Sequence, residues 1–333
     1  MYQKLFIILI IISSFIACNN NQDFTPPVKQ ADGSYLVQST GKIQDAINLL
    51  KQTGGKIVVE PGYYFENITL YSGIQLMSSS TSSKPYIRPI LSTKYCISGW
   101  GINHVSIIGF DIQGGIEIGQ TTTDFSQIAK NITIQQNKIS NLNAKDGIHI
   151  GGADSVLISD NDISNSTSEQ GIDLVGVKNF VVSNNTVHSI LNTTGMGIVA
   201  KGGSLNGLIS NNEIYACGNA AISCGQITTE TWVWPDAKIE KYEAKNVRVT
   251  KNNIHDNSKC AVLIQGATTC TIDSNNVTNF NYHPQFFIKS STDTHSPVWI
   301  SYAIIVTQPS FTLSDLDIAS DASNVTFNGN NVK

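Results

Sequence analysis

An all-β parallel β-helix, with three short strands to each turn, is the fold class this 333-residue chain predicts, and three observations predict it. The first is a motif of an apolar residue, two others, Asn, any residue, then Ile or Val. It recurs seven times, at 134–139, 158–163, 182–187, 209–214, 249–254, 272–277 and 327–332. An eighth copy at 107–112 carries Phe110 in place of Asn. The second is the period: Asn137, Asn161 and Asn185 are 24 residues apart, the signature of units that bury their apolar face only by stacking. The third is a second motif of small, apolar, variable, apolar residues. It begins at Gly115, Gly147, Gly171, Gly197, Ala221, Ala261 and Ala303. Alternation sends Ile148 and Ile150 inward, and Gly147 and His149 outward.

Taken in order, the chain opens with an export leader. Lys4 is its positive region, Leu5 to Ile12 its apolar region, and Ala17-Cys18 its cleavage site. Polar residues 19–40, with Pro26-Pro27, are expected to be a tether. The segment 41–55 sets Ile43, Ala46, Ile47 and Leu50 on one helical stripe closed by Gly54-Gly55, so it predicts a helix capping the solenoid's open end. The strand KIVVE and the turn Pro61-Gly62 follow. Beyond them each coil adds a β pair such as Ile132/Ile134, then Asn at a turn that tolerates left-handed geometry, then the Ile or Val of the third strand. The domain is expected over 41–333. Five cysteines follow the leader; Cys224 and Cys270 fall on inward positions, and the odd count leaves at least one unpaired.

Ala17 before Cys18 resembles the lipobox of bacterial lipoproteins, which implies cleavage before Cys18 and lipid on its thiol. The helix followed by stacked coils over about 41–333 resembles the pectate-lyase-like superfamily of right-handed β-helices. That resemblance implies right-handed winding; many chemistries share the scaffold.

Insertions locate a working face. The turn from second to third strand never changes length, whereas first-to-second steps grow from six residues to 14, 23 and 19, and one third-to-first step reaches 26. Both variable turns border the first sheet, so that sheet is expected to floor a groove walled by long loops. The walls are aromatic. Trp232, Trp234, Tyr242, Tyr282 and Trp299 are the candidate sugar-stacking residues, because flat rings with a polar edge suit pyranose faces.

The outward column in the middle of the first sheet reads Glu117, His149, Asp173, Val199, Ser223, Leu263, Ile305. Lys201 lies one coil beyond Asp173 and further along, and Asp146 just precedes its strand. Rungs are ~4.8 Å apart, so Glu117 and Asp173 should be roughly 9–10 Å apart and the carboxylates of Asp146 and Asp173 ~6–9 Å. The second range overlaps the gap an inverting glycosidase needs for its water. KDGIHIGGADSVLISDNDI resembles a segment of polygalacturonase-like hydrolases, implying a catalytic role for Asp146. That family's next Asp pair is here Glu169-Gln170, with Glu169 the substitute partner, and its later His is Met196.

These residues predict a polysaccharide-cleaving hydrolase. An alternative is a uronan lyase or C5-epimerase in which Glu117 and Asp173 hold Ca²⁺ and Lys201 or His149 is the base. A second alternative is a non-catalytic glycan binder or adhesin. No cofactor is required in the first reading. Only Arg88 and Arg248 are present, so a polyuronate finds little arginine. The net charge of −4 and pI near 5.8 exclude a nucleic-acid partner. The chain is expected to be a monomer, exported and lipid-anchored through Cys18 to a bacterial outer membrane or cell surface.

Overall fold

The computed structural model describes residues 24–93, 95–140, 146–166, 170–226 and 228–278, and four further strands at Phe286–Lys289, Leu316–Ile318, Thr326–Asn328 and Asn331–Val332. The described residues wind as stacked parallel rungs. Ile107, Ile134, Ile158, Val182, Ile209, Val249, Ile272 and Phe327 stand side by side in one column, so all eight copies of the motif are in register. The column continues upstream through Leu76 and Ile57 to Tyr35, in coils that carry no Asn motif. The third sheet stacks Ile112, Ile139, Ile163, Val187, Ile214 and Ile254 in the same way. The third-sheet side chains and those from Ile57 to Ile272 in the first column are wholly buried in one continuous core, and each contributes about 1.5–3 kcal/mol by leaving water.

The repeated Asn forms a buried ladder. Asn137 donates both its backbone N–H (3.0 Å) and its Nδ2–H (3.1 Å) to Oδ1 of Asn161, and Nδ2 also donates to the Ile107 carbonyl. The pattern passes through Asn185, Asn212 and Asn252 to Asn275. Phe110, the odd copy, donates only its backbone N–H to Asn137 and terminates the run. The left-handed residue expected at the Asn is instead the one before it: Gln136, Asp160, Asn184, Asn211, Lys251 and Ser274 all have φ between 55° and 58°. The ladder needs both amide donors of each Asn aimed down the axis, so the backbone reversal moves one residue upstream.

First and second sheets run into each other where the corner is short. Single strands of 12 residues, Ile148–Ser159 and Ile172–Ser183, cross it, with Gly152 and Gly176 at positive φ making the bend. Helix α1 (Ile43–Leu50) buries the four predicted residues of its stripe. Its first two N–H groups, of Ile43 and Gln44, donate to the Glu66 carboxylate at 2.7 and 2.9 Å, since Lys42 supplies no cap.

Two further expectations change. Much of the supposed tether is folded: Val28–Lys29 pairs antiparallel with Tyr35–Val37, which begins the parallel stack against Ile57 to Val59. The next rungs of the first sheet after Cys260–Gln265 are Phe286–Lys289 and Leu316–Ile318, so part of the supposed wall loop is floor; the copy at Ala303 lies outside the described residues. His188 and His255 stand in third-sheet strands and stack on Tyr215 with ring centroids 4.8 and 4.9 Å away. Cys96, Cys217, Cys224, Cys260 and Cys270 are free and buried. No helix among the described residues is long and apolar enough to cross a membrane.

Candidate active site

Ser98, Glu117, His149 and Asp173 are register partners on successive rungs of the first sheet, as alternation predicts. Asp146 precedes its strand, and its Oδ1 accepts the Gln170 N–H of the next coil at 2.8 Å. That bond turns Oδ2 toward His149, whose Nδ1 lies 3.2 Å away, while the Tyr95 hydroxyl donates to the same oxygen at 3.2 Å. Asp173 approaches from the other side: its Oδ2 is 3.4 Å from His149 Nδ1 and 3.2 Å from Lys201 Nζ. One imidazole is therefore gripped by two carboxylates, and the second carboxylate also holds a lysine.

The electrostatics follow from that grip. Burial by itself lowers the His149 pKa, but hydrogen bonds to Asp146 and Asp173, and their charges, outweigh it and push it up to about 10. Burial raises Asp173, yet the Lys201 charge and the His149 contact prevail and hold it below the usual carboxylate range. Burial, then the charges of Asp146 and Glu117, keep the Tyr95 phenol well above ordinary tyrosine. At neutral pH the centre is an imidazolium between two carboxylates. Its other nitrogen, Nε2, faces bare backbone: a Cβ on Gly151 would meet it at 3.4 Å.

A cavity of about 390 Å³ lies over this centre, lined by Glu117, Gln120, His149, Asp173, Lys201 and Trp100 with Thr228, Thr229 and Trp232 from the wall loop. Two polar groups point to an occupant. Asp173 Oδ1 and both ends of the Gln120 carboxamide are buried without a protein partner. Beyond Asp173 the floor is closed, since Val199, Ser223 and Leu263 are buried. The wall loop is clamped by Glu243, 2% exposed, which accepts N–H bonds from Gly202 (2.8 Å) and Thr228 (3.0 Å).

The structure brings together Asp146, His149, Asp173 and Lys201, with Glu117 one rung away. It differs from expectation at four points. Oxygens of Asp146 and Asp173 come within 4.8 Å of each other, closer than the separation expected, because both bend onto one imidazole. Lys201 is an ion-pair partner. Trp234 is fastened to the solenoid: its Nε1–H donates to the Gly176 carbonyl (2.6 Å), and Phe125 and Lys178 pack on its ring. Tyr242 is 2% exposed in a small core with Val233 and Ala237, so it presents no ring to the groove. Trp232 remains at the cavity, 46% exposed. Glu169, Tyr282, Trp299 and Cys18 lie outside the described residues. Sequence reasoning missed Tyr95, Trp100, Gln120 and Glu243. Tyr95 and Trp100 belong to the coil before the first recognised repeat, and extending the columns one rung upstream would have found both.

The profile of a family described as right handed beta helix region matches residues 95–229. A comparison with curated protein sequences finds no match. Among solved structures the chain is similar to the A-module of the Azotobacter vinelandii mannuronan C-5 epimerase AlgE6, at 13% identity over 87% of this chain and 90% of that one, TM-score 0.57. It is also similar to the AlgE4 A-module of the same organism, at 11% identity over 89% and 94%, TM-score 0.56. A third similar structure is the Streptococcus pneumoniae surface protein and adhesin PfbA, at 13% over 87% and 95%, TM-score 0.51. The chain is a right-handed parallel β-helix.

Proposed function

We propose that this protein acts on an acidic polysaccharide by removing the proton α to a sugar carboxylate, as a C5-epimerase or a lyase. The observation that carries the reading is His149, held at Nδ1 by Asp146 and Asp173 in a cavity that Lys201 also lines, so that Nε2 is the nitrogen left for substrate. Nε2, once deprotonated, takes the C5 proton; the electron pair moves into the carboxylate, and Lys201 stabilises the charge that develops. Return of a proton to C5 from water on the opposite face, with Nε2 giving its proton to solvent, gives the epimer. Expulsion of the 4-O substituent, which leaves as an alcohol with the proton that Nε2 took from C5, gives an unsaturated end. The A-modules of similar winding are mannuronan C-5 epimerases by name, which agrees with this substrate class, though that likeness is one of fold.

Hydrolysis has less support. Oxygens of Asp146 and Asp173 lie within 4.8 Å of each other, short of the gap an inverting enzyme keeps for its water, and both are engaged by one imidazole, which leaves neither free as the nucleophile of a retaining enzyme. Glu117 repels a uronate, and Ca²⁺ bridging the two would relieve it; activity lost to chelator and restored by Ca²⁺ is the expected result. Export and lipid attachment at Cys18 belong to the same proposal, tested by the mass of the mature N-terminus.

The deciding experiment incubates the protein with polymannuronate, alginate and pectate in D₂O. Deuterium at C5 is expected, and its loss in His149→Ala. Absorbance near 232–235 nm distinguishes lyase from epimerase. Binding without exchange or cleavage would leave a glycan-binding protein and remove the catalytic assignment.

A further inference from the structure

Beside the Glu117–His149–Asp173 column runs a second outward row: Trp100, Gly119, Gly151, Val175, Lys201. Trp100 stands 47% exposed at its N-terminal end. It lines the His149 cavity on one side and, on the other, a second cavity of about 430 Å³ that reaches Lys51 and Tyr71. Tyr71 follows Thr69 as Trp100 follows Ser98, and Thr69 and Ser98 are paired, so Tyr71 extends the row by one rung. Lys51 Nζ sits 4.6 Å above the Tyr71 ring. Between Trp100 and Val175 the row is glycine, at Gly119 and Gly151, so it places no side chain of its own between the indole and His149.

The neighbouring column closes after Asp173, so a polymer seated at His149 has its open path across the rungs toward helix α1. Gln120 borders that path. Its buried carboxamide has an unmet donor and an unmet acceptor, and vicinal sugar hydroxyls supply both partners. An exposed indole suits the C–H face of a pyranose.

We infer that Trp100, Tyr71 and Gln120 form a second sugar subsite that binds the polysaccharide chain on the N-terminal side of the reacting unit, with Lys51 selecting an acidic sugar. The inference rests on the acidic-polysaccharide reading. It is tested by calorimetric titration of the folded protein with oligomannuronates of increasing length, and oligogalacturonates in parallel. Wild-type affinity should climb with length, and Trp100→Ala should reduce the long-to-short affinity ratio about tenfold, with Trp100→Tyr restoring much of it. Lys51→Gln should weaken the salt dependence of the long oligomers. A ratio unchanged in Trp100→Ala overturns the subsite alone. A wild-type protein that binds no oligouronate of any length overturns the subsite and the acidic-polysaccharide reading together.

Discussion

His149 links the chemistry of the site to its stability. Its pKa is raised in the folded chain from 6.5 to about 10, so the proton bound there stabilises the fold fully below about pH 6.5. That contribution fades as pH rises toward 10. Chemical denaturation across this window should show the decline, and His149→Gln should flatten it; identical slopes would mean the imidazolium is not held as described. Asp173 has the opposite sign: its lowered pKa gives stability present above the ordinary carboxylate range and lost as pH falls through the folded value. Asp173→Asn should lower the His149 pKa, read from the imidazole resonances by NMR, and reduce turnover at least about tenfold by releasing Lys201.

Elements here are tied to one another by single buried groups. Asn161 accepts two bonds from Asn137 and donates to the Ile134 carbonyl and to Asn185. Asn161→Ala orphans the Asn137 N–H and the Ile134 carbonyl and should cost about 2–4 kcal/mol in equilibrium denaturation. Asp, which keeps the acceptor and loses the donors, should cost less for the Asn137 side. Glu243 plays the equivalent part for the wall loop, so Glu243→Ala should loosen residues 228–242 and weaken glycan affinity while the rungs stay protected from hydrogen exchange. Equal loss of protection in loop and rungs would make Glu243 a determinant of the whole fold.

At the scale of the molecule, stability is mainly a sum over neighbouring rungs, because the described strands of each coil pair with those of the coils before and after it, and the wall loop adds longer ties such as Trp234 to Gly176 and Phe125. Amide exchange should be slowest in the central strands Ile148–Ser159 and Ile172–Ser183 and faster toward Tyr35–Val37. Uniform protection would contradict a nearest-neighbour solenoid. The site sits on these central rungs, where two long strands turn the same corner. His149 and Asp173 stand on those two strands, and Asp146 and Lys201 are held against them.

Sequence alone determined the winding. The Asn motif, its period and the alternation of Ile and Val leave one arrangement that buries the apolar face, and the structure reproduces its register from Ile107 to Phe327. It also put Glu117, His149 and Asp173 on adjacent rungs, because outward columns follow from register. Of the early coils only the strand KIVVE, which forms as Gly55–Val59, was legible; the coil through Leu76 was not, since it carries no Asn to mark it. Only the tertiary structure decided that Asp146 and Asp173 close on one imidazole, that Tyr95 and Lys201 complete the cluster, and that Trp234 and Tyr242 pack away from the groove. Those outcomes depend on side-chain direction and on loops folding back over the floor. A repeat specifies neighbours along its axis, and it carries no information about contacts made across it.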